Sequence, residues 1–185
     1  MAGNEGARCW LGRVIDTWGS TAAERERSFP CDRHLPDHDA ALFRAVDVAA
    51  PAPVLFRWLC QLRAAPYSYD WIDNFGRRSP RELTPGLDAL AVGQRVMTMF
   101  TLVDFDADRH VTATTRSAIF GSIAATYAVF PVDARRCRLV VKLLIRYPPG
   151  AVVRAFQRAL LPAGDLIMMR KQLLTLKKLA ERDAA

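Results

Sequence analysis

The chain has 185 residues, of which 51% are hydrophobic and 24% charged, with a formal net charge of +7. A domain of this size buries roughly 70% of its unfolded surface, so neither disulfides nor a structural metal is needed for stability. No run approaches the ~20 consecutive apolar residues of a membrane span. Residues 1–13 hold no apolar stretch that reads as a signal peptide, so the expectation is a cytoplasmic protein with no membrane span.

Residues 1–39 read as an N-terminal arm and residues 40–185 as the folded domain. In the arm, Trp10, Leu11, Val14, Ile15 and Trp18 have the spacing of a short amphipathic helix that docks on the domain. Thr21-Ala-Ala-Glu24 fits a capping box, starting a helix through Glu26 or Arg27 that Phe29-Pro30 stops. Residues 42–49 alternate as a first strand, Phe43, Ala45, Asp47 and Ala49 against Leu42, Arg44, Val46 and Val48. Ala50-Pro51-Ala52-Pro53 then starts a helix. Val54, Leu55, Trp58, Leu59 and Leu62 recur along it at helical spacing, and it ends near Ala64-Ala65-Pro66.

Residues 66–93 are irregular and rich in aromatic and turn residues, and long loops of this kind tend to be functional. Ser79-Pro80-x-Glu82 caps one predicted helical turn within it. Strands are predicted at 95–104 and 109–115 around a hairpin loop at Phe105 to Asp108, followed by 117–130 with a bend at Gly121 and Ser122. Residues 136–147 give the cleanest strand. Cys137, Leu139, Val141, Leu143, Ile145 and Tyr147 share one face and Arg136, Arg138, Lys142 and Arg146 the other, which predicts one buried and one wet face. After Pro148-Pro149-Gly150 the pattern turns helical. Val152, Val153, Phe156, Leu160 and Leu161 form a stripe, and a kink or break is predicted at Pro162-Ala163-Gly164. Leu166, Met169, Leu173, Leu176 and Ala180 continue as the inward seam.

Strands joined by short turns imply an antiparallel meander, and one long amphipathic helix must bury its stripe against it. The fold class is therefore α+β, a curved antiparallel sheet wrapped around a long C-terminal helix. The row Leu139, Val141, Leu143 and Ile145 would form the back of an apolar cavity, and the Leu166–Leu176 seam its lid. The Tyr67–Asn74 segment would form its mouth. Ala113, Gly121, Ala125 and Ala128 read as small inward residues that leave space.

This helix-grip order resembles the START/Bet v 1-like (SRPBCC) superfamily. Local stretches resemble its bacterial polyketide cyclase/dehydrase-like members: Val48-Ala-Ala-Pro51 through Trp58-Leu59, Tyr67-Ser-Tyr-Asp-Trp-Ile-Asp-Asn74, and Met168-Met-Arg-Lys-Gln-Leu173 through Lys177-Lys-Leu-Ala-Glu181. The similarity spans roughly residues 42–182. It implies a small hydrophobic ligand, lipid- or polyketide-like, held between sheet and helix. The alternative it implies is a polyketide cyclase/aromatase or dehydratase-like enzyme acting in the same cavity. Fold analogy does not choose between them.

The candidate ligand-binding residues are Trp58, Tyr67, Tyr69, Asp70, Trp71, Met97, Met99, Tyr127, Met169 and Leu173. Tyrosine and tryptophan supply rigid walls with a polar handle, and methionines adapt to varied apolar shapes. The rings read equally as pocket lining and as plain core. Asp70 among aromatics reads as an acid or base of raised pKa, or, with Asp73, as a cap on a helical turn. Arg116 reads as a partner for Asp70 or for an anionic ligand, or as an outward surface residue.

No catalytic residue stands out, because HExxH, GxSxG, P-loop and GxGxxG motifs are missing. Cys9, Cys31, Cys60 and Cys137 form no CxxC pair and read as buried free thiols. His34 and His38 lie in a proline-interrupted arm that fixes no ligand geometry, so neither metal nor cofactor is expected. The basic face of Arg136, Arg138, Lys142 and Arg146 suggests contact with anionic lipid or nucleic acid. It lacks interleaved aromatics, so no specific nucleic-acid partner is expected. The chain is expected to be a monomer or homodimer.

Overall fold

The computed structural model describes residue 12 and residues 14–185. After a helical turn at 14–17, two short helices follow, α1 (Ala22–Arg25) and α2 (Cys31–His34), and lead into strand β1 (Ala40–Val48). Helix α3 (Ala52–Cys60) continues as a 3-10 turn (Gln61–Arg63), and α4 (Asp70–Asp73) is a single turn inside the long loop. Strands β2 (Arg95–Val96), β3 (Phe100–Asp106), β4 (His110–Ser117), β5 (Gly121–Pro131) and β6 (Cys137–Arg146) precede the terminal helix α5 (Ala151–Asp183). The six strands form one antiparallel sheet ordered β1-β6-β5-β4-β3-β2. The meander expected from the sequence is therefore present, with β1 closing against β6.

Local chemistry accounts for the boundaries. The Thr21 capping box forms as expected, with Glu24 N–H donating to the Thr21 hydroxyl and Thr21 N–H to the Glu24 carboxylate. Pro53 occupies the first turn of α3, where its missing N–H costs nothing. At the β4–β5 turn Gly121 has φ +77°, and a Cβ there would overlap the Arg146 carbonyl oxygen. Only glycine fits that approach. The predicted strand at 95–104 is interrupted, because Met97 and Thr98 adopt left-handed backbone (φ 47° and 67°) and separate β2 from β3.

Two cores lie on opposite faces of the sheet. The larger, on the concave side, packs Leu139, Val141 and Leu143 of β6 with Leu55 and Leu59 of α3 and with Leu173 and Leu176 of α5. The smaller corrects the expectation of a wet back face. Phe29, Cys31 and Leu35 from the arm cover Phe43, Val140 and Leu144, all buried. Of the cations expected in solvent, Arg138 and Lys142 are largely covered and neutralised by the same segment, through Glu24 (2.7 Å) and Asp32 (2.6 Å). Arg136 stays exposed, and Arg146 pairs with Asp37 (2.8 Å) at the surface. A face holding Val140 and Leu144 between its cations is half apolar, so covering it is favourable. Ala128, expected inward, belongs to this outer core.

Neither a break at Pro162 nor a helical turn at 79–82 is present. Helix α5 continues through Pro162, whose carbonyl accepts from Arg44 (3.3 Å). The Ser79 N–H and hydroxyl donate to Asp70. Arg116 is an exposed surface arginine, the second of its two readings, and Asp70 accepts from Ser79 instead. Cys31, Cys60 and Cys137 are buried free thiols, whereas Cys9, Trp10 and Leu11 lie outside the described residues. No helix among the described residues is long and apolar enough to cross a membrane.

Candidate functional site

Helix α5 is about 50 Å long at 1.5 Å per residue. Its C-terminal half is seated in the concave core through Leu173, Leu176, Leu179 and Ala180. The N-terminal half stands off the sheet and leaves a cavity of about 940 Å³. Ile123 of β5 and Leu143 and Ile145 of β6 form its floor, and Phe156, Leu161 and Met168 of α5 form its roof. Pro66, Ser68 and Asp73 close one side, and the 118–120 turn borders another. The chain has five methionines; apart from Met1, all of them, Met97, Met99, Met168 and Met169, line this space.

Few polar groups reach the cavity. The Tyr127 hydroxyl donates to Gln172 Oε1 (2.7 Å), and Gln172 Nε2 donates to the Pro66 carbonyl (2.6 Å), so both are satisfied. Burial pushes the Tyr127 phenol far up, which keeps it neutral. Ser68 donates to Asp73, whose Oδ1 is buried without a partner, and burial raises the Asp73 carboxyl. Gln157 Nε2 donates to the Ile119 carbonyl, tying α5 to the 118–120 turn, while its Oε1 is left unpaired.

The remaining group is Asp165, which faces the cavity and accepts from Arg44 at 2.7 Å. Burial pushes its carboxyl up to about 6, and the Arg44 guanidinium opposes only part of that rise. Arg44 is fully buried and Asp165 only partly exposed. Taken together, the cavity offers apolar walls with unpaired acceptors at Asp73 and Gln157 and a partly open carboxylate at Asp165. This combination suits an apolar molecule bearing hydroxyl donors.

Of the residues singled out from sequence, Met97, Met99 and Met169 line the cavity. Tyr127 stands behind them, its hydroxyl 3.3 Å from the Met97 sulfur and 3.5 Å from that of Met169. Trp58, Tyr67 and Leu173 are buried in the concave core. The Trp58 and Tyr67 rings meet edge-on at 6.0 Å, and Trp58 Nε1 donates to Asp183. Tyr67 has no hydroxyl partner, and burial pushes it up to about 12. Tyr69 is the half-buried N-cap of α4. Asp70 is engaged by Ser79, outside the lining, and Trp71 is turned to solvent.

The expected walls shift accordingly. Leu143 and Ile145 form the floor, whereas Leu139 and Val141 are covered by core. Asp165, Arg44, Gln157 and Gln172 were not anticipated. Signals for two of them existed: Arg44 is the one charge on an apolar face of β1, and Asp165 is the one acid between Ala151 and Ala180.

No family model matches the sequence, and no curated protein does. Among solved structures, the Zhui aromatase/cyclase from Streptomyces sp. R1128 superimposes with a TM-score of 0.51 at 19% identity, covering 78% of this chain and 95% of that one. The di-domain aromatase/cyclase StfQ of the steffimycin biosynthetic pathway gives 0.50 at 14% identity, over 82% of this chain and 54% of that one. A START superfamily protein from Mycobacterium smegmatis aligns at 0.43 and 15% identity, over 78% and 96%. Combined with the strand order and the terminal helix, the first two likenesses establish that the chain has a helix-grip fold like that of these aromatase/cyclases.

Proposed function

We propose that the chain binds one small hydrophobic molecule, lipid- or polyketide-like, between the sheet and the N-terminal half of α5. The observation that carries this reading is the cavity of about 940 Å³ walled by apolar side chains and all four internal methionines. A volume of that order accommodates a ligand of drug or lipid size. Burying about 300 Å² of ligand apolar surface contributes roughly 7 kcal/mol before association costs. The unpaired acceptors at Asp73 and Gln157 orient the ligand and supply little of the affinity. Native mass spectrometry of the purified full chain, followed by organic extraction, is expected to recover a bound apolar molecule. Recovery of nothing, together with no thermal shift from fatty acids or polycyclic aromatics, sinks the reading.

A second reading is favoured by one group. Asp165 presents a carboxyl of pKa about 6 to the cavity, close to where an acid or base works best at neutral pH. In this reading the chain holds a reactive polyketone in a folded shape, as an aromatase/cyclase does, and Asp165 moves the proton. Tyr67, Tyr69 and Asp70 do not reach the cavity and are not needed for it. Asp165→Asn should then abolish cyclisation of a polyketone substrate while apolar-probe binding persists. Unchanged turnover removes Asp165 from any mechanism.

A further inference from the structure

Two groups of large exposed apolar side chains border the cavity, and the second group also lines it. In the first, Trp71 is 75% and Phe75 84% exposed, on either side of Asp73, which lines the cavity. Left-handed backbone at Phe75 and Gly76 (φ 52° and 77°) turns the chain there. The second is Ile119 of the β4–β5 turn together with Val152 and Phe156 of α5, all exposed and held together by the Gln157–Ile119 hydrogen bond. Isolated exposed apolar residues are ordinary, but a cluster bordering one cavity marks an interaction surface.

The exposed charge around this rim is mostly positive. Arg77 and Arg78 follow Phe75 and are exposed, as is Arg116 at the end of β4. Arg154 and Arg158 interleave with the apolar residues of α5, which has no acid between Ala151 and Gly164. Its N-terminus has no side-chain cap, so the positive end of a 33-residue helix faces outward there. The opposing acids are Asp70 and Asp73, which flank Trp71 and accept from Ser79 and Ser68, together with Asp37 and Asp39. Asp39 lies 3.8 Å from Arg154 and 3.5 Å from Arg158, and it also accepts from the Tyr147 N–H; Asp37 is occupied by Arg146. One carboxylate shared by two guanidiniums leaves a positive excess.

We propose that this rim docks on the surface of an anionic phospholipid bilayer. Trp71, Phe75, Ile119, Val152 and Phe156 seat among the head groups while the arginines meet lipid phosphates. Interleaved arginines and apolar residues on an acid-free helical segment are what an in-plane membrane contact requires. A second copy of the chain fits less well, because an isologous pairing sets the same arginines against each other. The surface is separate from Arg138 and Lys142 of β6, which Glu24 and Asp32 neutralise, and it adjoins Arg146, which shares a surface pocket with Arg116. The proposal does not depend on cavity binding, since docking needs no cargo.

The test is co-sedimentation of the full chain with vesicles of phosphatidylcholine containing phosphatidylglycerol, against vesicles of phosphatidylcholine alone. Selective binding to the anionic vesicles, weakened by salt, is expected, with a blue shift in tryptophan emission that Trp71→Phe removes. Phe75→Asp and Phe156→Asp, both at exposed positions and checked for folding by circular dichroism, should each lower partitioning roughly ten-fold. Arg116→Gln and Arg158→Gln should each lower it about five-fold. Absence of partitioning, equal binding to both vesicle types, or binding unaffected by both Asp variants overturns the proposal. Self-association that Phe156→Asp abolishes, with no vesicle binding, assigns the face to a second copy and overturns it equally.

Discussion

Arg44 of β1 donates through Nη2 to Asp165 Oδ2 of α5 at 2.7 Å, clamping the first strand to the terminal helix at the wall of the cavity. The guanidinium is fully buried, and it also donates to the carbonyls of Phe43 (2.8 Å) and Pro162 (3.3 Å). Removing the carboxylate leaves a buried cation with only the more distant Asp16 as a counter-charge. Asp165→Asn is therefore expected to destabilise the fold by about 3 kcal/mol, and Arg44→Met with Asp165→Leu to recover most of that loss. Urea unfolding of the two variants checks this, and a double variant no more stable than the single one contradicts it.

The same carboxyl gives a pH dependence of known sign. Its ordinary value is 3.8, and in the folded chain it stands at about 6. The folded state therefore binds this proton more tightly than the unfolded state. Its contribution to stability is complete below about pH 4 and is lost as pH rises through 6. Glu24 runs the opposite way: hydrogen bonds from Arg138 and Thr21 outweigh burial and hold it below 4.5, so its contribution disappears on acidification. Stability measured against pH for wild type and Asp165→Leu should differ in slope between pH 4 and 6. Parallel curves would contradict the assignment.

The arm is a structural layer, and its anchor is Phe29, whose ring meets Phe43 at 6.2 Å and Phe130 at 6.4 Å. Phe29→Ala should cost about 3 kcal/mol. It should also open residues 20–39 to limited proteolysis while the sheet stays folded. A stability unchanged from wild type would mean the arm contributes nothing to the back core.

Much of this was legible in the chain. The alternation of β6, the proline-started α3 and the long α5 seam are local patterns, and local patterns specify element type. The back core was not legible, because it depends on residues 29–35 meeting residues 124–144, a contact that no local period encodes. Reading Arg138 and Lys142 as solvated was the natural inference from β6 alone; Glu24 and Asp32 lie more than a hundred residues away. For the cavity, the methionines were legible as adaptable apolar side chains. Tyr67 and Trp58 were not separable from plain core by composition, because the same rings serve both roles. The Arg44–Asp165 pair was written in the sequence as two lone charges on apolar rows, but only the fold brings them together.

Gly121 should be intolerant of any side chain. With φ +77° and the Arg146 carbonyl directly against it, Gly121→Ala incurs both left-handed strain and a backbone displacement. A loss of at least about 2 kcal/mol is expected, with faster hydrogen exchange at residues 117–122 beside the cavity. Wild-type exchange rates would show that the close approach does not constrain the turn.

Gly164 lies in α5, lines the cavity, and has nothing within 4 Å of where a Cβ would stand. Gly164→Ala should therefore stabilise the helix by about 1 kcal/mol, while a large side chain there enters the space the ligand is proposed to fill. The most direct test of cavity binding is an equilibrium titration of N-phenyl-1-naphthylamine into wild type and Gly164→Trp, with both shown to be folded by urea unfolding. Saturable one-to-one binding by wild type, weakened roughly ten-fold or more in Gly164→Trp, is the expected result. No saturable binding by wild type, or equal binding by a folded Gly164→Trp, would contradict it.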